Sequence, residues 1–245
     1  MKIGIVQMRM SWTLDSNFQT ISEHVINLEN LDILIFPELA LTGFHRNIRN
    51  ELVQHKISQS IEALCELARK HKTTILFGAP TIESTNIYNS YLCINERGKL
   101  TAQWHKAGLT PSESHVFKKG MGRKVIKLGK QSVSTFICRE VEDVEWFISQ
   151  MGTHILQYVV WPSYIGRLNG ENSLAGYFKN ASDIAKNLGA LVIQCNWPHS
   201  LNAPESKGLG GSKIFDGNGK CIATMPLDTI AVGVLELPTL AFKII

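Results

Sequence analysis

Three residues of this sequence are of the types that covalent catalysis at a carbon centre requires: a thiol at Cys138, a carboxylate at Glu38 and an ammonium at Lys106. Cys138 ends the run SVSTFIC, and the acidic REVEDVEWF after it reads as a turn entering a helix. At such a corner, backbone N–H groups of a helix N-terminus can stabilise a thiolate and later an oxyanion. The other four cysteines read as small core hydrophobes: Cys65 lies on the apolar stripe of a helix, and Cys93, Cys195 and Cys221 fall within short strands. On local grounds Cys138 is also compatible with a buried structural thiol. A thiol nucleophile needs a proton acceptor and a group to hold the charge that develops on its substrate. None of the eight histidines sits in a setting suited to that acceptor. Glu38 follows the apolar run LDILIF and Pro37, and Lys106 follows KLTAQWH, so each stands at the C-terminal end of an expected strand, the edge where ligand sites of α/β sheets lie. Taken singly, each also reads as a solvated loop charge.

The elements that must position these residues alternate regularly. KIGIVQM (2–8), LDILIFP (31–37) and TTILFGAP (73–80) read as strands, separated by helical spacing from Asp15 to Asn30 and from Ser58 to His71. NSYLCIN and KLTAQWH flank the turn signal Glu96-Arg97-Gly98 and form an expected hairpin. The second half repeats the order with strands at 124–128 and 131–137, a helix near 144–151, the strand HILQYVVW, a helix from about 171 to 188 and the strand ALVIQCNW. GSKIF, KCIATM and IAVGVLEL close the chain. Helices on one face of each sheet leave the opposite apolar faces to pack together. The expectation is therefore a single domain over 1–245, an α/β four-layer α/β/β/α sandwich of two mixed sheets.

Composition narrows the partners. With 44% hydrophobic and 19% charged residues and a net charge of +4, the chain can build a core and lacks a nucleic-acid footprint. Its densest basic cluster, KKGMGRK at 118–124, sits among glycines and reads as a solvated loop. No apolar run approaches the roughly 18 residues that span a bilayer, and the N-terminus lacks a signal-peptide pattern, so a cytoplasmic protein without membrane partners is expected. Five cysteines with no CxxC pair suggest free thiols rather than a disulfide framework or a metal site.

As an ordered set, Glu38, Lys106 and Cys138 resemble the nitrilase superfamily of carbon-nitrogen hydrolases, in its amidase-like branch. FPELALTGF (36–44), HKAGLTPSE (105–113) and STFICRE (134–140) resemble its glutamate, lysine and cysteine motifs, at spacings of 68 and 32 residues. KIGIVQM, YNS (88–90), NERGKL (95–100), VFKKG (116–120) and GGSKIFDGNGK (210–220) extend the resemblance over essentially the whole chain. The resemblance implies that Glu38 takes the thiol proton, Cys138 attacks an amide carbon to give a thioester, and Lys106 stabilises the oxyanion. Glu113 matches a second glutamate that orients the lysine. Neither a metal nor an organic cofactor is implied, and a homodimer is.

The sequence departs from the family pattern directly after the nucleophile. An aromatic residue and Asp, and later Phe-Pro-Glu, are replaced by Arg139-Glu140 and by Asp143-Val144-Glu145. Arg139 could clamp a substrate carboxylate or offset Glu140, Glu142 and Glu145. Trp161, Tyr164 and Trp197 follow or end strands near the site and are expected at the pocket mouth or in the core. Hydrolysis of a small amide is the leading expectation. Nitrile or N-carbamoyl hydrolysis, acyl transfer, and a catalytically silent binding protein on the same fold stand as alternatives.

Overall fold

The computed structural model describes residues 1–166 and 171–245, with backbone only for 171–173. Strand β1 (Lys2–Gln7) is followed by helix α1 (Leu14–Asn27), β2 (Ile33–Ile35), α2 (Gln54–His71), β3 (Thr74–Glu83), β4 (Asn86–Ile94) and β5 (Leu100–His105). The short α3 (Pro111–Ser114) leads to β6 (Ile126–Leu128), β7 (Gln131–Thr135), α4 (Val144–Met151), β8 (Tyr158–Ser163), α5 (Glu171–Leu188) and β9 (Leu191–Asn196). The chain closes with β10 (Lys213–Phe215), β11 (Cys221–Thr224), β12 (Ala231–Glu236) and β13 (Ala241–Ile244). One sheet has the order β13-β12-β1-β2-β3-β4-β5 and the other β11-β10-β9-β8-β7-β6. Both are mixed: β1-β2-β3 and β7-β8-β9 run parallel, and the flanking strands pair antiparallel.

Strand alternation divides the core as expected. Ile3, Ile5, Ile33 and Ile35 face the second sheet, where Ile193 and Cys195 meet them. Val6, Leu34 and Phe36 face α1 and α2, whose Leu14, Ile21, Val25, Ile57, Leu64 and Ala68 form the apolar stripes. Each such side chain, fully buried, contributes roughly 1.5–3 kcal/mol. The sheets touch directly, with Cys195 Sγ 3.3 Å from the carbonyl oxygens of both Val6 and Ile35. Phe147, Met151, Ala181, Ile184 and Ala185 of α4 and α5 cover the second sheet.

Three features differ from the sequence-based expectation. Helix α2 begins at Gln54, four residues before the expected start at Ser58, and its apolar stripe begins at Ile57. A β3–β4 hairpin turns at Ser84, which has a left-handed φ of 54° although it is not glycine. Residues 241–244 add an edge strand through pairing with β12. The segment after Cys138 agrees with expectation: a 3₁₀ turn over Cys138–Glu142 enters a helix that starts at Val144, where Asp143 accepts from Trp146 N.

Candidate active site

Glu38 leaves β2 in a loop pressed against β3. At Gly78 an added Cβ would lie 2.0 Å from Leu39 N and 2.6 Å from Glu38 C, so only a bare backbone admits the loop. Gly78 N donates to Pro37 O (3.1 Å), Leu41 N donates to Gly78 O (3.0 Å), and Leu39 takes a left-handed φ of 51°. Trp197 Nε1 donates to Glu38 O at 2.8 Å and fixes the loop from the other sheet.

Lys106, directly after β5, is tied by its main chain to Asn89 O and Gly120 N, each at 2.8 Å. Its ammonium donates to Glu38 Oε1 (2.6 Å) and Glu113 Oε1 (2.8 Å). Asn89 Nδ2 reaches the same two oxygens, at 2.8 and 3.0 Å. The Glu113 carboxylate is pre-aimed by a capping box: Thr110 N donates to Glu113 Oε2 (2.9 Å), and Glu113 N donates to Thr110 Oγ1 (3.2 Å). Glu38, Lys106, Asn89 and Glu113 are all buried, a setting in which charges persist only when paired and hydrogen-bonded.

Two carboxylates thus share one ammonium. Burial pushes the Glu38 carboxyl above the ordinary glutamate range against the pull of Lys106, and the neighbouring Glu113 charge adds to the rise. Burial acts on Glu113 in the same direction, but Lys106 and the Thr110 hydrogen bonds outweigh it and hold the group below that range. Burial opposes the charge on Lys106. Glu38, Cys138 and Glu113 together overcome it and raise the ammonium's pKa.

Cys138 opens the 3₁₀ turn with a left-handed φ of 53°, and its carbonyl accepts from Trp161 Nε1 at 2.9 Å. Burial raises the thiol's pKa, Glu38 adds to the rise and Lys106 opposes it, so the resting group is a neutral thiol. Its Sγ lies 4.0 Å from Tyr164 O. Cys138 and Lys106 line a cavity of about 380 Å³, together with Phe44, Glu113, Arg139, Glu142, Tyr164 and Tyr177. Phe44 and Tyr164 stack at 5.0 Å to form one wall, and the Lys106 ammonium lies 5.9 Å from the Phe44 ring. Among the described residues no cluster of His, Cys, Asp or Glu has the arrangement to hold a metal ion.

The structure therefore brings Glu38, Lys106, Cys138 and Glu113 together and places Arg139 on the cavity wall. Of the three aromatics considered for the pocket mouth, Tyr164 lines the cavity. Trp161 and Trp197 do not: both are fully buried behind it and hold the backbone carbonyls of Cys138 and Glu38. Arg139 pairs with Glu142 and not with Glu140. Glu140 points inward, where its carboxylate accepts from Ile137 N (2.7 Å), Gly108 N (3.2 Å), Ala107 N and the Arg123 guanidinium. One side chain thereby joins the nucleophile's turn to the loop that carries Lys106. Sequence reasoning missed Asn89, Arg123 and this role of Glu140. Asn89 lies in the YNS stretch at 88–90, and an acid two residues after the nucleophile is the available signal for Glu140.

A family model described as carbon-nitrogen hydrolase matches residues 2–239. The 2-oxoglutaramate amidase of Bacillus subtilis is 24% identical over 235 residues, covering 87% of this chain and 86% of that protein. A hydrolase in the agr operon of Staphylococcus aureus is 28% identical over 153 residues, 59% of this chain. The matched stretch spans only 58% of that staphylococcal protein, and 48% of a probable nitrilase of Schizosaccharomyces pombe. Among solved structures, a variant of the amidase from Nesterenkonia sp. AN1, which shows the Michael addition of acrylamide at its active-site cysteine, superposes with a TM-score of 0.83 at 19% identity. It covers 98% of this chain and 94% of that one. A second form of that amidase, carrying the acetamide moiety of fluoroacetamide on its cysteine, gives 0.84 at 19% identity, with 97% and 90% covered. These likenesses establish the two-sheet fold.

Proposed function

Because the chain belongs to the carbon-nitrogen hydrolase family, we propose that it hydrolyses the amide bond of a small molecule through a thioester on Cys138. The observation that carries this reading is the buried array in which Lys106 bridges Glu38 and Glu113 beside the Cys138 cavity. Glu38 Oε2 has no hydrogen-bond partner among the described residues, so this oxygen is available to accept the thiol proton. As that proton moves to Glu38, Cys138 Sγ bonds to the amide carbon and the carbonyl π pair moves to oxygen. Lys106 and the backbone N–H of Arg139 stabilise the resulting oxyanion. The oxyanion collapses, the carbon–nitrogen bond breaks, and Glu38 returns its proton to the departing nitrogen, which leaves as ammonia. Water then gives a proton to Glu38 while its hydroxide equivalent adds to the thioester carbon. Collapse breaks the carbon–sulfur bond, releases the acid and restores the thiol with the proton held by Glu38.

The names of the relatives support an amide over a peptide substrate, since amidases are found among both the sequence matches and the solved structures. Five free thiols agree with a reducing, cytoplasmic setting, and we propose a homodimer there. Intact-mass measurement during incubation with amides, nitriles and N-carbamoyl compounds tests the chemistry. An acyl adduct with ammonia release, both absent in Cys138→Ala, is expected for amides. A nitrile-only or carbamoyl-only response would replace the substrate class, and no adduct with any compound would reject the enzyme reading.

A further inference from the structure

Among the described residues, the charged groups lining the Cys138 cavity fall into two sets. Lys106 and Glu113 are buried and committed to one another. Arg139 and Glu142 keep 36% and 37% of their side-chain surface exposed, so among the described residues they are the charges a substrate can reach. Glu142 Oε2 accepts from Arg139 Nε (3.1 Å) and Nη2 (2.6 Å), which occupies one edge of the guanidinium and one carboxylate oxygen. Glu142 also hydrogen-bonds Tyr177, a neutral group that leaves its charge in place, and among the described residues Arg139 Nη1 has no partner. The same pair lines an outer cavity of about 560 Å³, together with Lys119, Asp143 and Trp146. It therefore stands where the catalytic cavity meets the outer one.

From this pair we infer that the substrate is an amide whose far end carries both an ammonium and a carboxylate, the ω-amide of an α-amino acid. The inference rests on the amidase reading above and narrows it. A lone carboxylate drawn to Arg139 is repelled by Glu142, and a lone ammonium drawn to Glu142 is repelled by Arg139. A zwitterionic head satisfies both, its carboxylate on Arg139 and its ammonium on Glu142, in a square of alternating charges. The arginine that replaces the family's aromatic residue thus becomes a specificity-determining group, with Glu142 as its partner.

Four amides of similar length separate the alternatives: glutamine, 4-carbamoylbutanoate, 4-aminobutanamide and pentanamide. Glutamine is expected to give a kcat/KM roughly tenfold or more above each of the others, the size of one charge-assisted hydrogen bond gained. Arg139→Gln should raise KM for glutamine at least about tenfold more than KM for pentanamide, and Glu142→Gln should shift the preference toward 4-carbamoylbutanoate. Equal turnover of all four, or a preference for a singly charged amide in the unaltered enzyme, overturns the inference but leaves the amidase reading standing. Ammonia from none of the four overturns the inference, and no adduct or ammonia with any amide of the broader panel overturns both.

Discussion

Replacing Glu140 with Gln preserves the shape of the side chain and removes its charge. In the native structure Glu140 and Arg123 form an ion pair whose side chains are essentially unexposed. Breaking such a buried pair from one side costs about 3–5 kcal/mol, because the remaining guanidinium is left uncompensated. The amide also cannot reproduce the geometry. Its oxygen can accept from Ala107 N or Ile137 N but not from both, and its –NH₂ would then face the other donor. For a chain of this size that cost corresponds to a fall in Tm of roughly 6–20 °C. The loss also loosens the link between the Cys138 turn and the Lys106 loop. A displacement of about 1 Å there is enough to lower kcat roughly 100-fold. Thermal denaturation followed by circular dichroism, with kcat measured well below the melting range, checks both parts. The double variant Arg123→Met with Glu140→Gln should recover part of the lost stability by removing the unpaired charge. Recovery is incomplete because Arg123 Nη1 also serves His105 O and Gly122 O, at 2.6 and 2.7 Å. A Tm within about 2 °C of the parent and an unchanged kcat for Glu140→Gln would refute the reasoning, since roughly 1 kcal/mol or less would then be at stake.

Glu38 is raised by burial, so the acid limb of kcat/KM should lie above the 4.5 of an ordinary glutamate. Activity should fall as pH drops through that limb, because a protonated Glu38 cannot accept the thiol proton; a pH–rate profile reads it. For Glu113 the folded-state pKa is depressed, so its contribution to stability is present above the ordinary glutamate pKa and is lost as pH falls toward the lower folded value. Chemical denaturation of Glu113→Gln should show a shallower loss of stability across that acid range. Because Cys138 has a left-handed φ of 53°, Cys138→Gly should be about 1 kcal/mol more stable to urea than Cys138→Ala, both being inactive. Gly78→Ala should give a poorly folded or inactive protein, as its Cβ would overlap the Glu38–Leu39 backbone; retention of wild-type kcat and Tm would contradict that placement.

The architecture was legible because strand alternation and helical spacing are local signals, and residues such as Ile3, Ile5, Leu64 and Ala68 obey them. The edge strand 241–244 was not, since its exposed Ala241 and Lys243 present little apolar pattern and its definition comes from pairing with β12. Glu38, Lys106 and Cys138 could be found because the residue type and the strand end together indicate chemistry. Asn89 and Arg123 could not, because their roles arise from where β4 and the 120–124 loop lie relative to distant residues. The two tryptophans show the same limit from the other side. An aromatic at a strand end can face the pocket or the core, and only the packing of Trp161 against Phe136 and Phe178 decides for the core.

The buried array of two carboxylates and one ammonium has a consequence for how the proposed cycle runs. With both acids ionised its formal charge is −1, and a neutral thiol leaves that unchanged. When the thiol proton passes to Glu38 the array becomes neutral, and the negative charge appears instead on sulfur and then on the substrate oxygen. At every later step the proton on Glu38 and the anion at the reacting centre appear and vanish together. The chemistry is thus isocoulombic, moving charge over short distances without creating any inside a medium that would penalise it. Turnover at saturating neutral amide should accordingly vary little with ionic strength.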